Sequence, residues 1–365
     1  TATCEFGRHD DTGRKSGGED LLFLKPTGAI ATITTARPVF ASSNYQLNRA
    51  FYNTVFERVD GSYQQLGDIF RKTKNNSLNG VLNRNFSLLG DPSMTLSYGE
   101  QLISLDSLNG RLIAREDTLK ALELLDFSGS IRQANQQIDP SFSGIVDIKL
   151  YDQARSKQTL GQDNNPFIYT VRDNVLFSGS ATITNGVFNF ETILPKDISY
   201  NPETARLVLY AYRSDSVTDA SGANIDFLIG SSSENGVIDN EPPEIFAFVG
   251  DTLFQNGDIV NENSLLIVNL FDEYGINTSS SQVGHSITYQ LDDEDPVELN
   301  DYYNTVTNDF RTGWIYFDLP KMTSGKHILK VTAWDTSNNS STEEIEFSVI
   351  GNDQVVIANL SNYPN

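Results

Sequence analysis

The chain has 365 residues, 38% hydrophobic and 20% charged, with a net charge of −22. That length predicts two or three domains of a folded protein, and the acidic balance excludes a nucleic-acid binder, whose phosphate contacts need clustered Lys and Arg. A single cysteine excludes an internal disulfide, and no run approaches the ~20 apolar residues of a membrane helix.

Taken in order, Thr1-Ala2-Thr3-Cys4 reads as the tail of a strand that turns polar at Cys4. A cysteine at the exit of a strand is how an α/β enzyme presents a nucleophile. A strand whose working end is residue 4 also predicts a longer chain, with a catalytic partner upstream. Ser16 and Glu19 have the spacing of a capping box, opening a short helix through Leu21, Leu22 and Leu24 that Pro26 closes. Residues 28–35 are apolar without alternation, which predicts a strand covered on both faces in a parallel sheet. Leu47, Ala50, Phe51, Thr54 and Val55 recur at helical spacing. Leu66, Ile69 and Phe70 mark a second helix, with Lys72 and Lys74 on its wet face. Residues 83–92 read as a strand stopped by a turn. The order of elements predicts an α/β layered unit over residues 1–99.

Beyond Tyr98 the pattern becomes short alternating runs at 128–131, 145–151, 175–179, 186–190 and 205–212, with loops at 219–223 and 231–236. Further strands are expected at 265–271, 285–291, 313–317, 327–334 and 343–350. These predict two all-β, immunoglobulin-like sandwich units, residues 100–240 and 241–355, without the disulfide. Residues 356–365 read as a linker into a further domain.

Cys4 carries two readings. A thiolate there could attack a scissile carbonyl and form an acyl-enzyme, whereas a lone cysteine is more often buried and inert. The residues alone favour the inert reading. The backbone N–H of Glu5 is an oxyanion-hole candidate. Arg8, Asp10, Asp11 and Arg14 are charged neighbours, best read as a solvated loop, with Arg8 and Arg14 also candidates for the border of a substrate cleft. His9 shares the exit loop with Cys4, which makes it structural or substrate-adjacent rather than the base. His285 and His327 read as packing or turn residues, and three histidines this scattered make no metal set. Asp272-Glu273 and Asp292-Asp293-Glu294-Asp295 could ligate calcium but lack EF-hand spacing, so solvated acidic loops are expected. No metal or cofactor is predicted.

Thr1–Arg8, then Thr34-Thr35-Ala36-Arg37-Pro38-Val39, then residues 85–94 resemble the C-terminal half of a gingipain-type, caspase-like cysteine peptidase domain. Within that family the Cys-Glu-Phe-Gly-Arg string is similar to the surface sortases of the type IX secretion system. Pro195-Lys196-Asp197-Ile198, Gly284-His285-Ser286-Ile287, residues 299–303 and Ala333-Trp334-Asp335 with Asn338-Asn339-Ser340 extend the resemblance over nearly the whole chain. It implies that Cys4 is the nucleophile and that the base is a histidine of a Gly-His-Gly-like segment, absent from this sequence. It further implies removal of C-terminal signals from secreted cargo, transfer of that cargo to lipopolysaccharide as acyl acceptor, an outer-membrane β-barrel partner and a place at the bacterial cell surface. The residues from 360 on look like the start of a sorting-type domain. The rival from another class is a non-catalytic surface β-sandwich module that binds protein or polysaccharide.

Overall fold

The computed structural model describes residues 4–24, 27–114, 117–162, 165–215, 218–225, 227–280 and 284–351. The expected strand tail at residues 1–3, the closing Pro26 and the tail from residue 352 lie outside them. The structure is mostly β and divides into two compact units, Thr1–Tyr98 and Gly99–Asn365.

In the first unit the capping box forms. The Ser16 N–H donates to Glu19 Oε2 at 2.8 Å and the Glu19 N–H to Ser16 Oγ at 3.4 Å, starting the helix Gly17–Phe23. The strand Ala31–Thr35 pairs with Phe86–Gly90. This pair is antiparallel, so the parallel sheet expected here is not seen among the described residues. The apolar run suggested cover on both faces, yet only Thr34 and Thr35 are buried and Ile30 is 60% exposed. Gly90, at φ 138°, lets the pair close, because a side chain there would meet Ala31 Cβ at 2.7 Å.

The helices Ala41–Val55 and Leu66–Asn75 supply Leu47, Ala50, Val55, Leu66 and Ile69 to the interior. The buried hydroxyls of Thr54 and Thr73 donate to the carbonyls four residues back, at 2.8 and 2.7 Å. Lys74 is not on a wet face. Its Nζ donates to the Phe86 carbonyl at 2.9 Å, and burial lowers its pKa.

The second unit contains two β layers. In the first, strands Val175–Ile183, Gly144–Tyr151, Arg206–Arg213, Asp219–Asn224, Gln101–Leu108, Leu124–Arg132 and Val187–Ile193 lie side by side in that order. The outermost two are consecutive in the chain and joined by a bridge between Thr184 and Val187, so the sheet curls almost closed. Phe127, Phe177, Phe190 and Phe227 fill it, with Phe127 and Phe190 stacked at 4.8 Å. The loop expected at 219–223 is a strand. Its small residues hid the alternation but allow close approach, since a Cβ on Gly222 would lie 2.5 Å from the Ile103 carbonyl oxygen.

The second layer closes two sheets over one core. One sheet runs Glu244–Val249, Leu265–Phe271, Asp309–Asp318, Tyr303–Val306. The other runs Ile259–Asn261, Ser340–Ile350, Gly325–Trp334, Thr288–Leu291, Val297–Glu298. Leu266, Val268, Leu270, Ile315, Leu329, Val331 and Phe347 meet between them. The two layers are stitched by polar pairs, Ser178 to Asn304 at 2.9 Å and Asn308 to the Thr182 N–H at 2.8 Å.

Candidate functional site

The loop bearing Cys4 is held by the strand beside it. The Glu5 N–H donates to Thr35 Oγ1 and the Gly7 N–H to the Thr35 carbonyl, both at 3.0 Å, while the Gly18 N–H reaches the Phe6 carbonyl at 2.7 Å. Gly7 is required by contact, because its Cβ would fall 2.0 Å from Thr34 Cγ2. Glu5 takes a left-handed conformation, φ 56°, which swings the chain sharply away from Cys4. Cys4 is exposed, not buried. Its Sγ lies 3.3 Å from the Val39 carbonyl oxygen and 3.5 Å from the Val39 nitrogen. The Glu5 N–H is therefore already engaged by Thr35, and the oxyanion role suggested for it does not fit this arrangement.

The charged neighbours are mutually paired. Arg8 Nη1 donates to Glu5 Oε1 at 3.4 Å, and Arg14 Nε donates to Asp11 Oδ2 at 3.3 Å. Arg37 grips Asp10 with Nη1 and Nη2 and holds that carboxyl down at about 2. The Gly13 N–H and the two arginines lower Asp11 as well. Lys15 pairs with Asp20 at 2.9 Å. Cys4, Glu5, Arg8, Asp11, Arg14 and Lys15 line a cavity of about 350 Å³ together with Ser16 and Gly17. His9 is not among its walls. Its Nδ1 sits 3.1 Å from the Gly7 carbonyl oxygen, a contact within the loop.

In the second unit the histidines make specific pairs. His285 Nδ1 lies 2.6 Å from Asp197 Oδ2, and its ring leans on Trp334 at 4.3 Å. Asn277 and Asn338 donate to the same buried Asp197 at 3.0 and 2.8 Å. His327 is buried, with Nδ1 2.7 Å from Asp292 Oδ2 and Nε2 2.7 Å from the Thr323 carbonyl oxygen. Asp292, exposed in its turn as expected, is also the partner of His327 and of the Ile328 N–H.

Asp272 departs from the expectation of a solvated acidic loop, being only 5% exposed. One carboxylate oxygen from each of Asp239, Asp272 and Asp335 lies within 4.8 Å of the others. Burial pushes Asp272 up to about 7 and Asp335 up to about 6, with the neighbouring carboxylates adding to both. Asp239 Oδ2 accepts no hydrogen bond. An all-oxygen set of this kind suits a hard cation better than a transition metal. Sequence spacing could not assemble the trio, since its members come from three separate loops.

Residues 1–97 match the model of Peptidase family C25. No curated protein matches the chain. Among solved structures, the dimeric latent PorU from Porphyromonas gingivalis is 30% identical over 82% of this chain, with a TM-score of 0.44. The chain spans 29% of that structure's length. The fibronectin(III)-like modules of Clostridium thermocellum CbhA are 11% identical, covering 71% of this chain and 100% of theirs at a TM-score of 0.20. The C-terminal domain of the Streptococcus agalactiae AgI/II polypeptide BspA is 10% identical, covering 68% and 99% at 0.19. Residues 1–97 thus match the model of the gingipain family, and 82% of the chain is similar in sequence to PorU.

Proposed function

We propose that the chain is part of a cell-surface cysteine endopeptidase of the sortase kind, with Cys4 as its nucleophile. The observation that carries this reading is the family match over residues 1–97, which contain an exposed cysteine on a loop pinned to a strand end. In this reading residues 1–98 are part of a caspase-like α/β layer, and the two β layers after them are immunoglobulin-like spacers. Cys4 attacks the scissile carbonyl of a C-terminal sorting signal, the signal leaves, and an amine of lipopolysaccharide resolves the acyl-enzyme. The base is a histidine other than His9, whose ring is turned to Gly7. An outer-membrane β-barrel protein of the type IX system is the docking partner.

Replacing Cys4 by Ala in the whole protein, in cells, tests this. Cargo should keep its C-terminal signal and leave the surface. Normal cargo processing in the Cys4→Ala strain would refute the nucleophile and favour a binding module. Residues 1–365 by themselves should hydrolyse no peptide in a cysteine-dependent way; hydrolysis abolished by Cys4→Ala would make His9 the base.

A further inference from the structure

The cavity beside Cys4 carries more cationic than anionic side chains on its walls. Three cations, Arg8, Arg14 and Lys15, and two carboxylates, Glu5 and Asp11, stand on the walls of this one cavity of about 350 Å³. The cations are weakly held. Arg8 makes a single hydrogen bond, at the long distance of 3.4 Å. Its Nε is shut off from solvent without a hydrogen-bond partner, with Asp11 Oδ2 as far as 3.8 Å away. Arg14 is 73% exposed and Lys15 52% exposed, and ion pairs so exposed contribute only ~0–1 kcal/mol. A guanidinium offers a planar fork whose best complement is a carboxylate taken by two parallel hydrogen bonds. Arg37 shows that arrangement on Asp10. Arg8 does not: its Nη1 makes one long contact with Glu5, and its Nε faces Asp11 Oδ2 at 3.8 Å without a hydrogen bond.

We propose that Arg8, Arg14 and Lys15 form an anion subsite beside the nucleophile, and that it takes a carboxylate of the substrate next to the scissile bond. The inference rests on Cys4 as the nucleophile. An incoming carboxylate takes the Arg8 guanidinium in place of the long contact with Glu5, and adds a counter-charge for Arg14 and Lys15. Asp11, which faces both arginines, competes with the ligand and sets how tightly it is held.

Cys4 is the only cysteine in the chain, so its alkylation reads the subsite without any peptidase activity. Iodoacetate and iodoacetamide differ in the carboxylate that the subsite should attract. The measurement is the ratio of their rate constants at Cys4, folded and in 8 M urea. The folded chain should show a ratio at least threefold above the unfolded one, falling toward it in 0.5 M NaCl as screening sets in. Arg8→Gln and the exposed Arg14→Gln should each lower the ratio twofold or more, and Arg8→Lys should restore part of it. Asp11→Asn should raise it, a direction that mere loosening of the loop would not produce. A folded ratio equal to the unfolded one overturns the subsite. So does a ratio indifferent to Arg8→Gln and Arg14→Gln, or a Cys4 that neither reagent reaches. The cargo experiment with Cys4→Ala fails or succeeds separately, because charge selectivity at the thiol does not require turnover.

Discussion

Neutralising Asp272 should stabilise this protein at high pH. Asp272 closes the strand Leu265–Phe271, is 5% exposed, and accepts the Tyr274 N–H on Oδ1 at 2.8 Å. Burial and the nearby charges of Asp335 and Asp239 push its pKa up to about 7 from the ordinary carboxyl value of 3.8. A carboxyl whose pKa is raised on folding keeps its proton in the native state after the unfolded chain has lost it. Stability therefore falls as pH rises between about 4 and 7, and the loss is complete above the folded value. Three pH units at about 1.4 kcal/mol each give a penalty of about 4 kcal/mol, an upper figure because Asp335 and Asp239 respond to the same charge. Asp272→Asn keeps an acceptor for the Tyr274 N–H and removes the charge. Urea unfolding should find the variant more stable than the wild type by about 2–4 kcal/mol at pH 8, and by much less at pH 5. Both tryptophans, Trp314 and Trp334, lie in the second unit, so their fluorescence reports the unit that contains the substitution. EDTA should be present, since a bound divalent ion would neutralise the trio. A wild-type stability flat from pH 5 to 8, or an Asn variant no more stable at pH 8, would refute the argument.

His327 titrates with the opposite sign. Burial works against its imidazolium, but both ring nitrogens face acceptors, Thr323 O and Asp292, and these raise its pKa. Its contribution is present in full below the unfolded value of about 6.5 and is lost as pH rises through the folded one. His327→Gln should therefore lower the thermal midpoint at pH 6 and have a smaller effect at pH 9; equal losses at both would leave only packing. Gly7→Ala should disrupt the nucleophile loop, because the added methyl collides with Thr34 Cγ2. Overpacking of this kind costs about 1–3 kcal/mol. The iodoacetamide rate at Cys4 should change, and Thr34→Ser, which removes that methyl, should restore it. An unchanged rate in Gly7→Ala would show that the loop does not depend on this contact.

What could be read from the sequence followed from side-chain period. The strand Leu265–Phe271 coincides with its expected bounds because branched apolar residues run between turn residues. Gly325–Trp334 was legible because His327, Leu329, Val331 and Ala333 are buried in alternation while their neighbours face out. Asp219–Asn224 escaped because its Ala and Gly residues carry no such contrast. The sheet direction in the first unit escaped for another reason. Apolar cover says how deep a strand lies, and antiparallel pairing of Thr35 with Phe86 leaves no mark on composition.

The same distinction separates the nucleophile from its setting. A lone cysteine before a polar loop is visible as chemistry, and the family resemblance singles it out. What positions it is not local: Thr35, thirty residues from Glu5, accepts one N–H of the loop on its hydroxyl and another on its carbonyl. The hydroxyl is a polar anchor at a position that composition reads simply as strand, and Gly7 looks like a turn residue until Thr34 is set against it. Both threonines are buried at the end of Ala31–Thr35. The burial of this strand is thus concentrated at the end that holds Cys4, which makes the strand the support of the site.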